Sequence, residues 1–162
     1  MTVRLRVPIA DEAVELSAIG TRSKAFWGYD AAFMAACRDE LTVTPADLAD
    51  PRKIWRLAEV DGRIAGYFGV VPYDEDGSGS SGEIEALFVE PGNIGSGLGR
   101  TLFNALVELA RSYGYRRLVI QSDPNALGFY EAMGAVKIGE LASDSIPGRS
   151  LPLLEMDLSP TA

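Results

Sequence analysis

Histidine is absent from the 162 residues, and cysteine occurs once, at Cys37. Without an imidazole there is no Ser-His-Asp or Cys-His catalysis and no His-based metal site. One thiol makes neither an intramolecular disulfide nor a thiolate zinc site, so no metal is expected. Proton transfer is left to carboxylates, tyrosine, lysine and water. No apolar run approaches the ~18 residues of a membrane span. Residues 1–6 lack the apolar stretch of a signal peptide, so a cytoplasmic protein with no membrane partner is expected. Basic residues are outnumbered by acidic ones, 15 to 23, for a net charge of -8. That excludes a general nucleic-acid binder, which needs clustered Lys and Arg. The same charge keeps a protein soluble and attracts cationic or amine-bearing molecules.

What is present is an ordinary globular composition, 47% hydrophobic and 23% charged. Residues 3–7 alternate as a strand ending at Pro8. Ala13, Val14, Leu16 and Ile19 mark a first helix over residues 10–19. Ala32, Phe33, Ala36 and Cys37 mark a second over 29–41, after an aromatic connection. Residues 54–60 and 63–73 read as a hairpin about Asp61-Gly62. A polar Gly/Ser loop follows, then a strand over 83–90. Leu102, Phe103, Leu106, Leu109, Ala110 and Tyr113 stripe a helix over 100–113, capped by Gly114. Strands over 117–121, 136–141 and 151–158 and a short helix over 126–133 complete the chain. The order β-α-α-β-β-β-α-β-α-β-β predicts an α+β fold, as one domain over residues 1–162.

Between the strand at 83–90 and the helix at 100–113 lies a glycine-rich turn with Gly92, Gly95, Gly97 and Gly99. Glycine admits positive φ and lets a ligand touch bare backbone. The following helix start offers free N–H groups and a positive dipole end, a site for pyrophosphate. A P-loop does not fit, because Ile94 stands five before Gly99 and Arg100 replaces lysine. A dinucleotide fingerprint does not fit either. Gly95, Gly97 and Gly99 run Gly-x-Gly-x-Gly, and the preceding strands are hairpin-linked.

The turn resembles the coenzyme A motif of the GNAT superfamily of N-acetyltransferases, Gln/Arg-x-x-Gly-x-Gly/Ala, with Gly97 and Gly99 on its glycines. Ser122 to Ala135 resembles the family's second signature, Asn-x-x-Ala followed by Phe/Leu-Tyr-x-x-x-Gly-Phe, here with Phe129, Tyr130 and Gly134. Ile94 replaces the usual Gln/Arg and Ala135 the usual Phe, and Asp123 stands where many members have Asn. The resemblance implies a mostly antiparallel central sheet flanked by helices, and acetyl-CoA as co-substrate. It implies direct acetyl transfer to a small-molecule or peptide primary amine, with a homodimer compatible. A catalytically silent acyl-CoA-binding or regulatory domain on the same fold is the rival.

The resemblance also assigns residues. Gly95, Ser96, Gly97, Leu98, Gly99 and Arg100 surround the pyrophosphate. Leu87, Phe88 and Val89 offer backbone groups to the pantetheine arm as an added strand would. A backbone N–H near Val89 is placed to polarise the thioester carbonyl. Asn125 or Asp123 meets the arm; Asn125 is favoured because an amide both donates and accepts. Phe129 belongs to the same site. Tyr130 is the candidate acid for the leaving thiolate, or a core tyrosine. Glu83 and Glu85, two apart and so on one strand face, are candidate bases, directly or through water, or a solvated strand face. Phe26, Trp27 and Tyr29 are candidates for an acceptor pocket, or packing at a helix junction. Cys37 reads as core.

Overall fold

The computed structural model describes residues 2–159. Met1 and residues 160–162, the ends of the expected domain span, lie outside the described residues. The strands are β1 (Val3–Arg6), β2 (Ile54–Val60), β3 (Arg63–Pro72), β4 (Ser81–Val89), β5 (Arg117–Gln121), β6 (Val136–Ala142) and β7 (Ser150–Asp157). The helices are α1 (Ala13–Ala25), α2 (Ala31–Ala36), α3 (Arg38–Leu41), α4 (Pro45–Ala49), α5 (Leu98–Ser112) and α6 (Leu127–Ala132). One sheet runs β1-β2-β3-β4-β5-β7-β6. Every neighbouring pair is antiparallel except β4 and β5, which α5 joins.

Local sequence accounts for most of this frame. Asp61 (φ 53°) and Gly62 (φ 81°) give the β2–β3 hairpin a two-residue turn whose twist suits the strands. In α5 the buried residues are Leu98, Leu102, Phe103, Leu106, Val107 and Ala110, a stripe at helical spacing. Each large apolar side chain so buried contributes about 1.5–3 kcal/mol. Gly114, at φ 91°, follows the C-cap Tyr113 and turns the chain out of the helix.

The sheet carries a core on each face, because successive strand side chains point opposite ways. On one side α5 and Tyr130 of α6 pack on Ile54, Ala58, Phe68, Val70, Ile84, Leu118 and Ile120. On the other, Ala13, Leu16 and Ile19 of α1 pack with Val43 on Trp55, Leu57, Tyr67 and Ala86. Phe68 and Tyr67 are neighbours in β3 and serve opposite cores.

The α1 side departs from the sequence expectation. The first helix continues to Ala25 and takes in Ser23 and Lys24. Val14, expected in its stripe, is 79% exposed. The expected helix over 29–41 is two short ones, parted at Cys37. Of its expected stripe only Cys37 is buried; Ala32 and Ala36 are exposed. Asp30 caps α2 by accepting from the Phe33 N–H, so the helix starts two residues later than expected. In α5, Tyr113 of the expected stripe is half-exposed, because the helix ends before a further turn could bury it.

Candidate functional site

β4 and β5 pair only over Ser81↔Arg117, Gly82↔Leu118 and Glu83↔Val119. Beyond Glu83 they part, while β5 stays paired with β7 on its other edge from Arg117 to Gln121. Leu87, Phe88 and Val89 remain paired with Phe68, Tyr67 and Gly66 of β3. Their other edge faces a wedge with no strand partner among the described residues, so it offers unpaired backbone groups. A bulge lies at the mouth of the wedge: Val70 opposes Ile84 and Gly69 opposes Ala86, leaving Glu85 without a partner in β3. Such a bulge re-aims a strand beside a site.

The glycine turn leads from this wedge into α5. Pro91–Asn93 form a 3-10 turn, and Gly95 and Gly97 take φ of 85° and 89°. Gly97 is the N-cap of α5. A side chain at either glycine would meet no protein atom within 4 Å, so backbone conformation and not crowding selects glycine there. The N–H groups of Gly95, Gly97, Gly99 and Arg100 have no acceptor among the described residues, and that of Leu98 has only Ser96 Oγ at 3.4 Å. The Leu98 side chain itself is fully buried, so only its backbone can meet a ligand. Unpaired donors at the start of a helix of this length fit a phosphate-bearing group.

α6 packs beside that turn. The Phe129 ring lies over Gly99, 3.4 Å from where a Cβ there would stand. Tyr130 is 7% exposed and edges against Phe103 and Phe129 at 6.1 Å and 5.4 Å between ring centroids. Burial alone pushes its hydroxyl far above the ordinary tyrosine value. It therefore keeps its proton throughout the neutral range.

The two carboxylates of β4 lie on its α1 side, and the charge of Glu85 bears on Glu83. Glu83 is raised above the ordinary carboxylate value by burial, then by the charges of Glu75, Glu85 and Asp144. Glu85 is raised by burial, against the pull of Lys53 and with a push from Asp47. Lys53 itself is held by Asp47 at 2.7 Å. A carboxyl raised this way exchanges protons closer to neutrality than a free one. Deeper on the same side, Tyr67 Oη is buried with no hydrogen-bond partner. The absence of a side chain on Gly20 makes room for it, since a Cβ there would stand 2.6 Å away.

The three aromatic candidates are divided. Phe26 and Trp27 pack on each other at 5.6 Å and remain 52% and 46% exposed. Tyr29 instead stacks on Phe33 at 4.0 Å, with the Arg149 guanidinium over both rings. Its hydroxyl donates to Asp123 at 2.8 Å and accepts from Arg149 Nη2 at 2.7 Å and Asn125 Nδ2 at 3.0 Å. Lys24 closes the group, 3.6 Å from Asp123 and 3.4 Å from Glu40. Burial by itself pushes Asp123 up, but the Asn125 backbone N–H, the Tyr29 hydroxyl and the Lys24 charge outweigh it and hold the carboxyl low. Cys37 is fully buried beside this group, its thiol raised by burial and then by Glu40. Arg149, Lys24 and Phe33 carried no sequence signal of a role. Arg149 meets Asp123 across 26 residues and Tyr29 across 120, so no local pattern links them.

Comparison with known proteins agrees with this geometry. Residues 22–135 match the model of the Acetyltransferase (GNAT) family. The glucosamine 6-phosphate N-acetyltransferase of Trypanosoma brucei brucei is 36% identical over 75 residues, 45% of this chain and 51% of that protein. The N-acetyltransferase 8 of Homo sapiens is 23% identical over 111 residues, 66% of this chain and 49% of that protein. This chain thus spans about half the length of the curated relatives it matches. The PaiA N-acetyltransferase of Thermoplasma acidophilum, solved with coenzyme A, superposes with a TM-score of 0.75. It covers 97% of this chain and 99% of its own at 12% identity, a likeness of fold. Among the described residues no helix is long and apolar enough to cross a membrane.

Proposed function

The chain belongs to the acetyltransferase (GNAT) family, and from that premise we propose that it transfers an acetyl group from acetyl-CoA directly to a primary amine. The observation that carries the reading is the wedge between β4 and β5, opening onto a turn whose N–H groups have no acceptor. A strand-like arm fits the first and a pyrophosphate the second, and the two lie in tandem along one chain segment. Gly95, Gly97, Gly99 and Arg100 hold phosphate through backbone N–H groups, with Ser96 and Leu98 shaping the turn. The free edge of Leu87, Phe88 and Val89 holds the arm, and a backbone N–H near Val89 polarises the thioester carbonyl. Asn125 and Phe129 complete the cofactor side.

Tyr130 keeps its proton because it is buried, and it donates a hydrogen bond to the leaving sulfur as charge develops there. Glu83 or Glu85, raised by burial, takes the proton that the amine loses, directly or through water. Cys37 has no part as a nucleophile, since it is fully buried with a raised thiol, and this favours direct transfer over an acyl-enzyme. Phe26 and Trp27 contribute to an acceptor pocket. The acceptor is a small-molecule or peptide amine, the reaction needs no metal, residues 1–162 form one domain, and the protein works in the cytoplasm.

The test is calorimetric titration with acetyl-CoA, followed by thiol release against a panel of small amines and peptides. Binding with amine-dependent thiol release is expected. Binding without turnover on any amine would support the rival, a silent acyl-CoA-binding domain. No binding at all would remove the cofactor assignment.

A further inference from the structure

Hydrogen-bond capacity around Asn125 is fixed by counting. The side-chain nitrogen of asparagine has two hydrogens and its oxygen none. In this chain Asn125 Nδ2 lies 3.0 Å from Asp123 Oδ1 and 3.0 Å from Tyr29 Oη. Asp123, held below the ordinary carboxylate value, only accepts. The atom facing it must therefore be the amide nitrogen, which settles the orientation chemically. Tyr29 Oη gives its one hydrogen to Asp123 and receives one from Arg149 Nη2 at 2.7 Å, so its remaining lone pair receives Asn125. Both amide hydrogens are thereby used. The amide oxygen, Oδ1, has no partner among the described residues.

This oxygen stands four residues beyond the end of β5, the strand that forms one wall of the wedge, on an exposed side chain. An oxygen accepts and does not donate, so it suits an N–H group. Tyr29 is in turn pinned by its stack on Phe33, by Asp123 and by Arg149 from the segment between β6 and β7. Lys24 of α1 adds its charge to Asp123 at 3.6 Å. Three segments far apart in sequence thus converge on the orientation of one amide.

We propose that Tyr29 and Arg149 are positioning residues for the cofactor: they hold the Asn125 amide with its oxygen turned outward to accept an amide N–H of the pantetheine arm. The inference rests on the proposed acetyl-CoA reading and deepens it. It moves Tyr29 from the acceptor pocket, where the sequence placed it, to the cofactor side. Neither residue touches the reacting atoms; each acts through Asn125.

The test is a double-mutant cycle in acetyl-CoA affinity, measured by calorimetry on the full chain. Tyr29→Phe keeps the ring on Phe33 and deletes only the hydroxyl, removing one of the two acceptors that hold the amide nitrogen and leaving Asp123 alone. One oriented hydrogen bond lost corresponds to an affinity fall of roughly tenfold. Asn125→Ala should fall by a similar factor, and the double variant should be no weaker than Asn125→Ala alone, because Tyr29 acts through that amide. Arg149→Gln should shift affinity in the same direction, and it serves as the second probe should Tyr29→Phe fold poorly. In steady state, the KM for acetyl-CoA should rise while the KM for the amine stays within a few-fold. Independent, additive losses for Tyr29→Phe and Asn125→Ala overturn the proposal, as does a rise confined to the amine KM. Unchanged affinity in Tyr29→Phe beside normal wild-type binding overturns this inference alone. Wild-type protein that binds no acetyl-CoA overturns the proposed function and this inference with it.

Discussion

The α5 face and the α1 face of the sheet are organised on different terms. On the α5 face one long helix lays a regular apolar stripe on the strands, and the turn before it presents backbone. On the α1 face three helices of 6, 4 and 5 residues follow α1, tied down by caps and polar side chains. The first face presents N–H groups that every residue but proline carries, fixed by where the glycines stand. The second presents side chains, whose identity can change without disturbing the frame.

Four expectations press on that contrast. The largest effect belongs to Tyr130, on the α5 face. Tyr130→Phe preserves the packing against Phe103 and Phe129 and removes the hydroxyl. kcat should fall roughly 10²-fold or more, with calorimetric acetyl-CoA affinity nearly unchanged. A kcat within a few-fold of wild type makes Tyr130 a packing residue.

The next comparison uses the two ends of α5. Gly97 and Gly114 have φ of 89° and 91°, and neither has a protein atom within 4 Å of a would-be Cβ. Alanine at either position pays the same left-handed strain, about 1–2 kcal/mol of unfolding free energy read from denaturant titration. Only Gly97→Ala should also weaken acetyl-CoA, by roughly tenfold, since about 1.4 kcal/mol of misaligned N–H contacts corresponds to that factor. Equal affinities for the two variants would falsify the phosphate turn.

Glu83→Gln probes the α1 face by pH. Glu83 is raised by burial and by Glu75, Glu85 and Asp144, so its ionised form opposes folding. Below the unfolded value of 4.5 the carboxyl is protonated in both states and the variant should melt with wild type. As pH rises past that value and through the raised folded one, wild type loses stability that the glutamine keeps. The variant should therefore melt higher at pH 7 while turning over more slowly, if Glu83 is the base. Thermal melts at pH 4 and pH 7 beside kcat/KM check both signs, and unchanged turnover passes the role to Glu85 or water.

Trp27→Ala should have the smallest effect. Its ring is 46% exposed, so stability should stay within about 0.5 kcal/mol. The amine KM should rise a few-fold and the acetyl-CoA KM should not. Equal rises in both would return Phe26 and Trp27 to surface packing.

By itself the sequence determined the frame and the glycine turn. β2 and β5 have the bounds expected from their apolar runs, the Asp61-Gly62 turn closes the hairpin, and α5 is striped and stopped as its residues dictate. These are local matters: a period, a turn and a cap depend on neighbours within a few residues, and the chain writes them in order. The glycine turn was legible for the same reason, because positive φ at Gly95 and Gly97 is a demand on single residues. Only the tertiary structure decided the rest. A 3.6-residue period over residues 29–41 promised one buried stripe, but the Asp30 cap and the break at Cys37 left Ala32 and Ala36 in solvent. Phe26, Trp27 and Tyr29 read as one aromatic patch, and folding parted them, because the hydroxyl of Tyr29 finds Asp123, Asn125 and Arg149. The wedge beside Leu87 to Val89 has no local sequence mark, since it exists where β4 and β5, far apart in the chain, stop pairing after Glu83 and Val119. Hydrogen bonds that join residues 26 to 120 positions apart are set by how the sheet brings segments together, and no local pattern encodes them.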